Sequence, residues 1–202
     1  MKTAWLNAVT QRYLGVPHFQ VFLKREWASD AAEARKLLRQ HLFENIEGQA
    51  AILDLETIPC LQQGKVSISH CKKLGGFSFD PAGASIGFDI ELTERVRSDS
   101  IRIVCVSRDE KERAPNAAAL WTAKEAAFKA LQGPKQPRGV ADIEIGAWVE
   151  REAGFFCCEM LSLQGRPAPA NRGLVLEFHE SDTAITVGFF VLGGVKSEMA
   201  AH

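Results

Sequence analysis

Two carboxylates placed two residues apart could bind a divalent cation. Asp89 and Glu91 lie in the segment GFDIEL, where apolar and polar residues alternate as they do in a β-strand. In a strand both carboxylates project from one face, roughly 6.5–7 Å apart along the chain. Mg²⁺ prefers oxygen ligands and usually takes one or two protein carboxylates, together with waters and phosphate oxygens. The pair therefore indicates either a magnesium site or the hydrated face of an amphipathic strand.

A predicted helix adds a third carboxylate and two lysines. In LWTAKEAAFKAL, residues 120–131, Glu125 and Lys129 share one stripe because they lie four residues apart, whereas Lys124 falls within the apolar arc. Glu125 could reach the same cation, and the lysines could hold phosphate oxygens that the metal does not contact. A solvated ion pair, with Lys124 extending past the edge of the core, would explain the same pattern.

A third polar segment, SISHCKK at residues 67–73, precedes both. Its alternation ends at His70, which is followed closely by Lys72 and Lys73. A histidine and two lysines beside a glycine-containing turn could bind an anion. A purely structural hydrogen-bonding role for the histidine would also fit.

The elements that must position these residues are predicted from hydrophobic periodicity and turn residues. Helix 29–48 has a possible capping box at Asp30 and Glu33 and a stop at Gly48. The other expected elements are strands 16–27 and 50–58, a hairpin over 65–80 that turns near Gly75–Gly76, strand 84–93, short helical pieces within 93–118, helix 120–131, and strands 141–150, 154–163, 172–178 and 184–192, the last two forming a hairpin.

Each half of the chain thus contains a long helix followed by strands. This order predicts an α+β fold with a duplicated unit, which divides into an N-terminal half, 1–83, and a C-terminal half, 84–202, that carries the acidic residues.

Composition excludes several classes of function. The 202 residues carry a net charge of -1, so no overall field favours nucleic acid or a membrane surface, and any anion must be held by a local cluster. Five cysteines without a CxxC spacing are typical of reduced thiols in a cytoplasmic protein. The N-terminal segment lacks the apolar core of a signal peptide, and no apolar run has the length of a membrane span.

In order along the chain, SISH, IGFDIE and LWTAKEAAFK resemble the three signature motifs of 4'-phosphopantetheinyl transferases of the surfactin-synthetase-activating type. The resemblance covers about residues 65–131. It implies a Mg²⁺-dependent transfer of the phosphopantetheine arm of coenzyme A to a serine of an acyl or peptidyl carrier protein, with release of adenosine 3',5'-bisphosphate. It also implies a monomer with two similar α+β halves, a pseudo-dimer in one chain that binds coenzyme A in the cleft between them.

The resemblance also assigns roles by motif position. Asp89, Glu91 and Glu125 would be the Mg²⁺ ligands, and Glu110 in VSRDE would lie near the metal or the incoming serine. The residues expected to act in catalysis are Glu125, Lys129 and Asp89. The residues expected to bind coenzyme A are Ser69, His70, Lys72, Lys124, Lys129 and Arg35.

The chain departs from the family pattern at three positions. Cys71 replaces the usual serine after the histidine, Ile58 replaces a basic residue, and Val106 replaces a phenylalanine. An alternative function is therefore a non-catalytic homologue that binds coenzyme A in a regulatory or scaffold role. A Mg²⁺-dependent phosphodiester hydrolase is a third interpretation. The carrier partner, expected to be acidic and helical, and its pathway stay open, whether fatty acid, polyketide, nonribosomal peptide or lysine metabolism.

Overall fold

The fold belongs to the α+β class that the sequence predicts. The computed structural model describes residues 3–25, 31–46, 52–54, 60–72, 74–133, 136–180 and 182–193. Within these ranges, helices alternate with sheets whose strand pairs are all antiparallel. None of the helices described there has the length and apolar character needed to cross a membrane.

The bounds of the elements are as follows. The helices are α1 Thr3–Leu14, α2 Ala31–Ile46, α3 Ser98–Ile101, α4 Arg108–Arg113 and α5 Ala117–Ala130, with 3₁₀ turns at Thr93–Arg95, Arg102–Val104 and Val140–Asp142. The strands are β1 Gln20–Arg25, β2 Ile52–Asp54, β3 Cys60–Leu61, β4 Lys65–Cys71, β5 Leu74–Asp80, β6 Ser85–Leu92, β7 Ile143–Glu152, β8 Phe155–Leu163, β9 Arg166–Pro167, β10 Asn171–Glu180 and β11 Thr183–Leu192.

Two main sheets divide the strands. The smaller sheet has the order β1-β5-β4, and apolar residues of α2 pack against it. The larger sheet has the order β6-β11-β10-β8-β7, with β9 paired to β8. Apolar residues of α1 pack on one face of this sheet, and α5 packs on the other. A short pair, β2-β3, forms separately.

Helix α5 lies unusually close to the larger sheet because both surfaces are made of small residues. The buried face of the helix is mostly alanine. On β6, a Cβ atom added to Gly87 would overlap the carbonyl oxygen of Ala126, and on β11 a Cβ at Gly188 would lie 2.6 Å from that of Thr122. The glycines therefore allow the helix backbone to rest directly on the strands, which brings the polar stripe of α5 against β6.

The two sheets meet through side chains at their edges. Strand β6 ends the larger sheet and β4 ends the smaller one, and the two strands lie next to each other. Ser67 Oγ on β4 accepts a hydrogen bond of 2.9 Å from the backbone amide of Phe88 on β6. On this edge β6 pairs with no further strand among those described, and a side chain of β4 satisfies the backbone amide of Phe88 instead.

The predicted hairpin over 65–80 is correct, but its turn is wrongly placed. Strand β4 ends at Cys71, and Lys72 follows with a positive φ of 49°. Gly75 and Gly76 lie inside β5, opposite β1. A Cβ atom at Gly76 would collide with the carbonyl oxygen of Phe22, so this glycine permits close strand packing instead of forming a turn.

Some of the other predictions of secondary structure are confirmed, and others differ from the structure. The strand at 84–93, the short helices within 93–118, the helix at 120–131 and the C-terminal hairpin are confirmed. Of the strand predicted at 16–27, the structure describes residues 16–25 and places a strand at Gln20–Arg25. Of the segment 50–58 it describes Ile52–Asp54 as strand. Helix α1 was not predicted. Asp30 and Gly48, the predicted signals at the ends of α2, lie outside the described residues.

The glycine contact makes a prediction about stability. Gly87→Ala should lower the free energy of unfolding by about 1–3 kcal/mol, because the added methyl group must push α5 away from β6. Gly139→Ala is the matched control, since a Cβ atom there meets nothing within 4 Å. Urea denaturation measures both variants, and equal midpoints for the two would contradict the proposed close packing.

Candidate active site

Asp89 joins three elements of the fold. Its Oδ1 accepts a hydrogen bond of 2.7 Å from Ser69 Oγ on β4 and lies 2.8 Å from Lys129 Nζ on α5. Only 8% of the Asp89 side chain is exposed. The hydroxyl hydrogen of Ser69 is therefore bound to a carboxylate, which differs from the expectation that Ser69 contacts a phosphate group of coenzyme A. Within the described residues, no hydrogen bond reaches Asp89 Oδ2.

Glu91 is held in a similar way by Cys71, which lies two residues after Ser69 on the same face of β4. The thiol of Cys71 donates a hydrogen bond to Glu91 Oε1, which also accepts from the Leu92 amide at 3.0 Å and from Arg95 Nη1 at 3.4 Å. Arg95 Nη1 lies 2.8 Å from the sulfur of Cys71. Burial and the bond to Glu91 raise the pKa of the Cys71 thiol to about 11, so the thiol stays protonated and able to donate.

Glu125 faces both of these carboxylates from helix α5. Burial raises the pKa of the Glu125 carboxyl, and the charges of Asp89 and Glu91 raise it further, whereas Lys129 lowers it. The three acids predicted from the sequence as metal ligands are thus brought close enough to repel one another. Within the described residues, Glu125 makes no hydrogen bond through its side chain.

The arrangement fits a hard cation without being a closed cage. In the described ranges, no three histidine, cysteine, aspartate or glutamate side chains form a preassembled metal-binding group. The carboxylates nevertheless supply oxygen atoms that no donor in the described part of the chain contacts, and their mutual repulsion favours a positive charge among them. Mg²⁺ suits such a site because it keeps several water or phosphate oxygens in its shell.

Positive groups converge beside the acids. His70, half-buried on β4, has a pKa lowered by burial and by the charges of Arg35 on α2 and Lys129 on α5. The lowered pKa keeps the imidazole of His70 neutral at pH 7. Because Arg35 and Lys129 both contribute to it, α2, β4 and α5 bring basic side chains near one another. Lys72 is exposed in the turn that follows β4. Such a cluster can bind the oxygens of an anion such as a phosphate.

The structure corrects the expectation for Lys124. This lysine is fully buried and lies 2.6 Å from Glu110 Oε1, and its Nζ also donates to the carbonyl oxygen of Ile143. Burial lowers the pKa of Lys124, and the contact with Glu110 opposes this shift. Lys124 therefore anchors α5 in the interior and does not border a phosphate site beside Lys129. This location agrees with its position in the apolar arc of the helix.

Glu110 is also removed from the expected location near the metal or the incoming serine. Its Oε2 accepts a hydrogen bond of 2.7 Å from the amide of Val106, and its Oε1 accepts one of 2.8 Å from the amide of Ile145. With Lys124 as a further donor, every described contact of Glu110 lies in the protein interior. Its role is to tie α4 and β7 to α5.

Two residues at the site were not assigned a role from the sequence. Cys71 was identified only as a departure from a motif, and Arg95 was not singled out. A signal for Cys71 exists in the spacing, because Ser69 and Cys71 lie two residues apart, as do Asp89 and Glu91. Two neighbouring strands with the same repeat can pair such side chains one to one. Ile58, the other replaced position, lies outside the described residues.

Residues 85–170 match the model of the 4'-phosphopantetheinyl transferase superfamily. The matched segment begins at β6 and includes Asp89, Glu91, Glu125 and Lys129, whereas Ser69 and His70 precede it. The match confirms the resemblance at the level of the superfamily for this part of the chain. A comparison with curated proteins found no match.

The repulsion among the acids predicts a pH-dependent stability. Glu125→Gln should raise the melting temperature of the metal-free protein at neutral pH, by about 2–4 °C for each kcal/mol gained, because it removes a charge that the fold disfavours. The gain should grow as pH rises from 4.5, the ordinary pKa of glutamate, and level off above the raised pKa of the folded state.

Calorimetry at a series of pH values measures this difference. Glu94→Gln is the matched control, because Glu94 is an exposed carboxylate of the same type near the end of β6. A lower melting temperature for Glu125→Gln at neutral pH would contradict the interpretation.

The buried ion pair leads to a further prediction. Lys124→Met should lower the free energy of unfolding by about 3–5 kcal/mol, because the charge of Glu110 is left buried without its partner. Lys129→Met should cost less, since 20% of the Lys129 side chain is exposed and Ser69 still donates a hydrogen bond to Asp89 in its absence. Denaturant unfolding measures the loss of stability in the two variants. A larger loss for Lys129→Met than for Lys124→Met would refute the prediction.

Proposed function

We propose that the chain transfers the 4'-phosphopantetheine arm of coenzyme A to a serine of an acyl or peptidyl carrier protein, as enzymes of the surfactin-synthetase-activating type do. The observation that carries this proposal is the convergence of three carboxylates with a basic cluster in and beside the segment that matches the superfamily. A pyrophosphate bound with a divalent cation needs both kinds of group in one place.

The acids are assigned to the metal and the basic groups to the phosphates. Asp89, Glu91 and Glu125 would hold Mg²⁺, which would bind pyrophosphate oxygens and offset the charge that develops on the leaving group. Lys129 lies between the two groups, because it contacts Asp89 and also influences His70. With Arg35 it would bind phosphate oxygens of coenzyme A.

Glu125 is assigned the proton transfer. The serine oxygen forms a bond to the phosphorus that bears the pantetheine, and the bond from that phosphorus to the bridging oxygen of the pyrophosphate breaks. Adenosine 3',5'-bisphosphate leaves with the bonding electrons, and the proton of the serine hydroxyl passes to Glu125. A carboxyl group without a hydrogen-bond donor among the described residues keeps an oxygen able to accept this proton.

The two-part organisation of the site agrees with a cleft between two halves, 1–83 and 84–202. Arg35 and His70 come from elements associated with the smaller sheet, whereas Asp89, Glu125 and Lys129 come from the larger sheet and its helix. A ligand that uses all of them would span both parts. We propose that coenzyme A binds in this way and that the protein acts as a monomer in the cytoplasm, without nucleic acid or membrane.

A surface next to Glu91 suits an acidic carrier protein. The segment that follows β6 carries Arg95, Arg97 and Arg102, which are all exposed. Ile103 in the same segment has 82% of its surface exposed. Basic side chains around an apolar residue would steer an acidic helical partner and then bury part of its surface. This surface would bring the serine of the carrier towards the acids.

One assay tests the function. The protein, Mg²⁺, coenzyme A and an apo carrier protein are incubated, and the carrier is weighed by mass spectrometry. We expect the carrier to gain one phosphopantetheine. Glu125→Gln should slow the reaction by about 10²–10⁴-fold because it removes the proton acceptor, whereas Glu94→Gln should leave the rate unchanged.

The other outcomes separate the alternatives. If coenzyme A binds while the mass of the carrier stays the same, the protein is a non-catalytic homologue. If free phosphopantetheine appears without a carrier, it is a hydrolase. Either result would refute the transferase proposal.

A further inference from the structure

Strand β4 carries two hydrogen-bond donors in register with the two carboxylates of β6. Ser69 donates to Asp89, and Cys71 donates to Glu91. Both donors face the same way because they are alternate residues of one strand, and both acceptors are alternate residues of the other. The contacts are therefore one repeated arrangement across the line where the two sheets meet.

Each carboxylate is bound through one oxygen only. Ser69 and Lys129 both contact Oδ1 of Asp89, and Cys71 and Arg95 both contact Oε1 of Glu91. In the part of the chain that the structure describes, no donor reaches Oδ2 of Asp89 or Oε2 of Glu91. One oxygen of each acid is saturated, and the other remains an acceptor.

Burial prevents water from replacing these donors. Cys71 is 3% exposed and Ser69 is 8% exposed. Arg95 adds a second constraint, because the same Nη1 atom contacts the sulfur of Cys71 and Oε1 of Glu91. If either β4 donor were lost, its carboxylate could rotate and present a mixture of oxygens to the site.

We propose that Ser69 and Cys71 are positioning residues that select which oxygen of Asp89 and of Glu91 faces a divalent cation. The proposal deepens the proposed function and rests on its metal site. Donors behind a ligating carboxylate fix its orientation, and their loss typically weakens metal affinity by about 10–100-fold. The smaller sheet thus contributes to metal affinity through two side chains that are not ligands.

Binding of Mn²⁺ in place of Mg²⁺ tests the proposal without turnover. Free Mn²⁺ is measured by electron paramagnetic resonance during titration of the full-length protein, with and without coenzyme A. Ser69→Ala and Cys71→Ala should each raise the dissociation constant about tenfold or more. Cys71→Ser should bind nearly as tightly as the unaltered protein, because a hydroxyl can also donate to Glu91.

Ser78→Ala is the matched control for burial. Ser78 lies on β5 directly opposite Ser67 of β4 and is fully buried, and its hydroxyl has no hydrogen-bond partner among the residues that the structure describes. Its loss should leave the affinity for Mn²⁺ unchanged. Melting temperatures without metal show whether each variant is folded, and an alanine variant that does not fold is replaced by Ser69→Val or Cys71→Val, which also lack a donor but fill the buried space.

A positioning role also predicts a specific kinetic pattern. In the transfer assay, Cys71→Ala should need more Mg²⁺ for half-maximal rate, while its rate at saturating Mg²⁺ should approach that of the unaltered protein. Unchanged Mn²⁺ affinity in both alanine variants, or equal weakening in Cys71→Ser and Cys71→Ala, would overturn the proposal.

The outcome is separable from that of the proposed function. Carrier modification with unchanged metal affinity in the alanine variants would refute the positioning role alone. Weakened metal affinity in a protein that never modifies a carrier would refute the transferase function alone. If the unaltered protein does not bind Mn²⁺, either with or without coenzyme A, the positioning role is overturned because it rests on that metal site.

Discussion

The contacts of Asp89 are the constraint on which the site depends. One oxygen of this carboxylate joins the smaller sheet through Ser69 and helix α5 through Lys129, while its backbone belongs to the larger sheet. A buried carboxylate is tolerated only when donors satisfy it, so these partners must come together when the chain folds. The folded chain therefore places a strand edge, a helix and a second sheet around one acid.

The acids around Asp89 also destabilise the folded protein. Three carboxylates face one another, and the resulting repulsion raises the pKa of Glu125. Lys129 pairs with Asp89 and Arg95 contacts Glu91, whereas Glu125 has no ion-pair or hydrogen-bond partner among the described residues, so the negative charge of the three acids is only partly compensated. Proteins tend to break their own packing rules at functional sites, where a ligand supplies the missing charge. A cation bound among these acids would offset the repulsion that raises the pKa of Glu125.

Local patterns predicted much of this structure, but tertiary contacts decided the rest. The alternation around Asp89 and Glu91 was sufficient to predict their strand, and the periodicity of α5 was sufficient to predict the helix that carries Glu125. The patterns alone left a metal site and a solvated surface as alternatives, and the assignment of the acids to one site came from the family resemblance. The position of Gly76 inside a strand depends on the approach of β1, and the role of Cys71 depends on its neighbour in another sheet. Helix α1 was missed because polar residues interrupt its apolar stripe, and contacts with the larger sheet support it.

Lys124 and Glu125 are adjacent in the chain but face different surroundings. The lysine points into the interior and binds Glu110, whereas the glutamate points towards β6. Because successive helical residues turn by about 100°, the buried lysine fixes the rotation of α5 about its own axis. A turnover assay alone would therefore make a variant at 124 resemble an active-site lesion, although no substrate would touch that side chain. Within this short motif, Lys124 sets the rotation of the helix and thereby the direction in which the neighbouring Glu125 points.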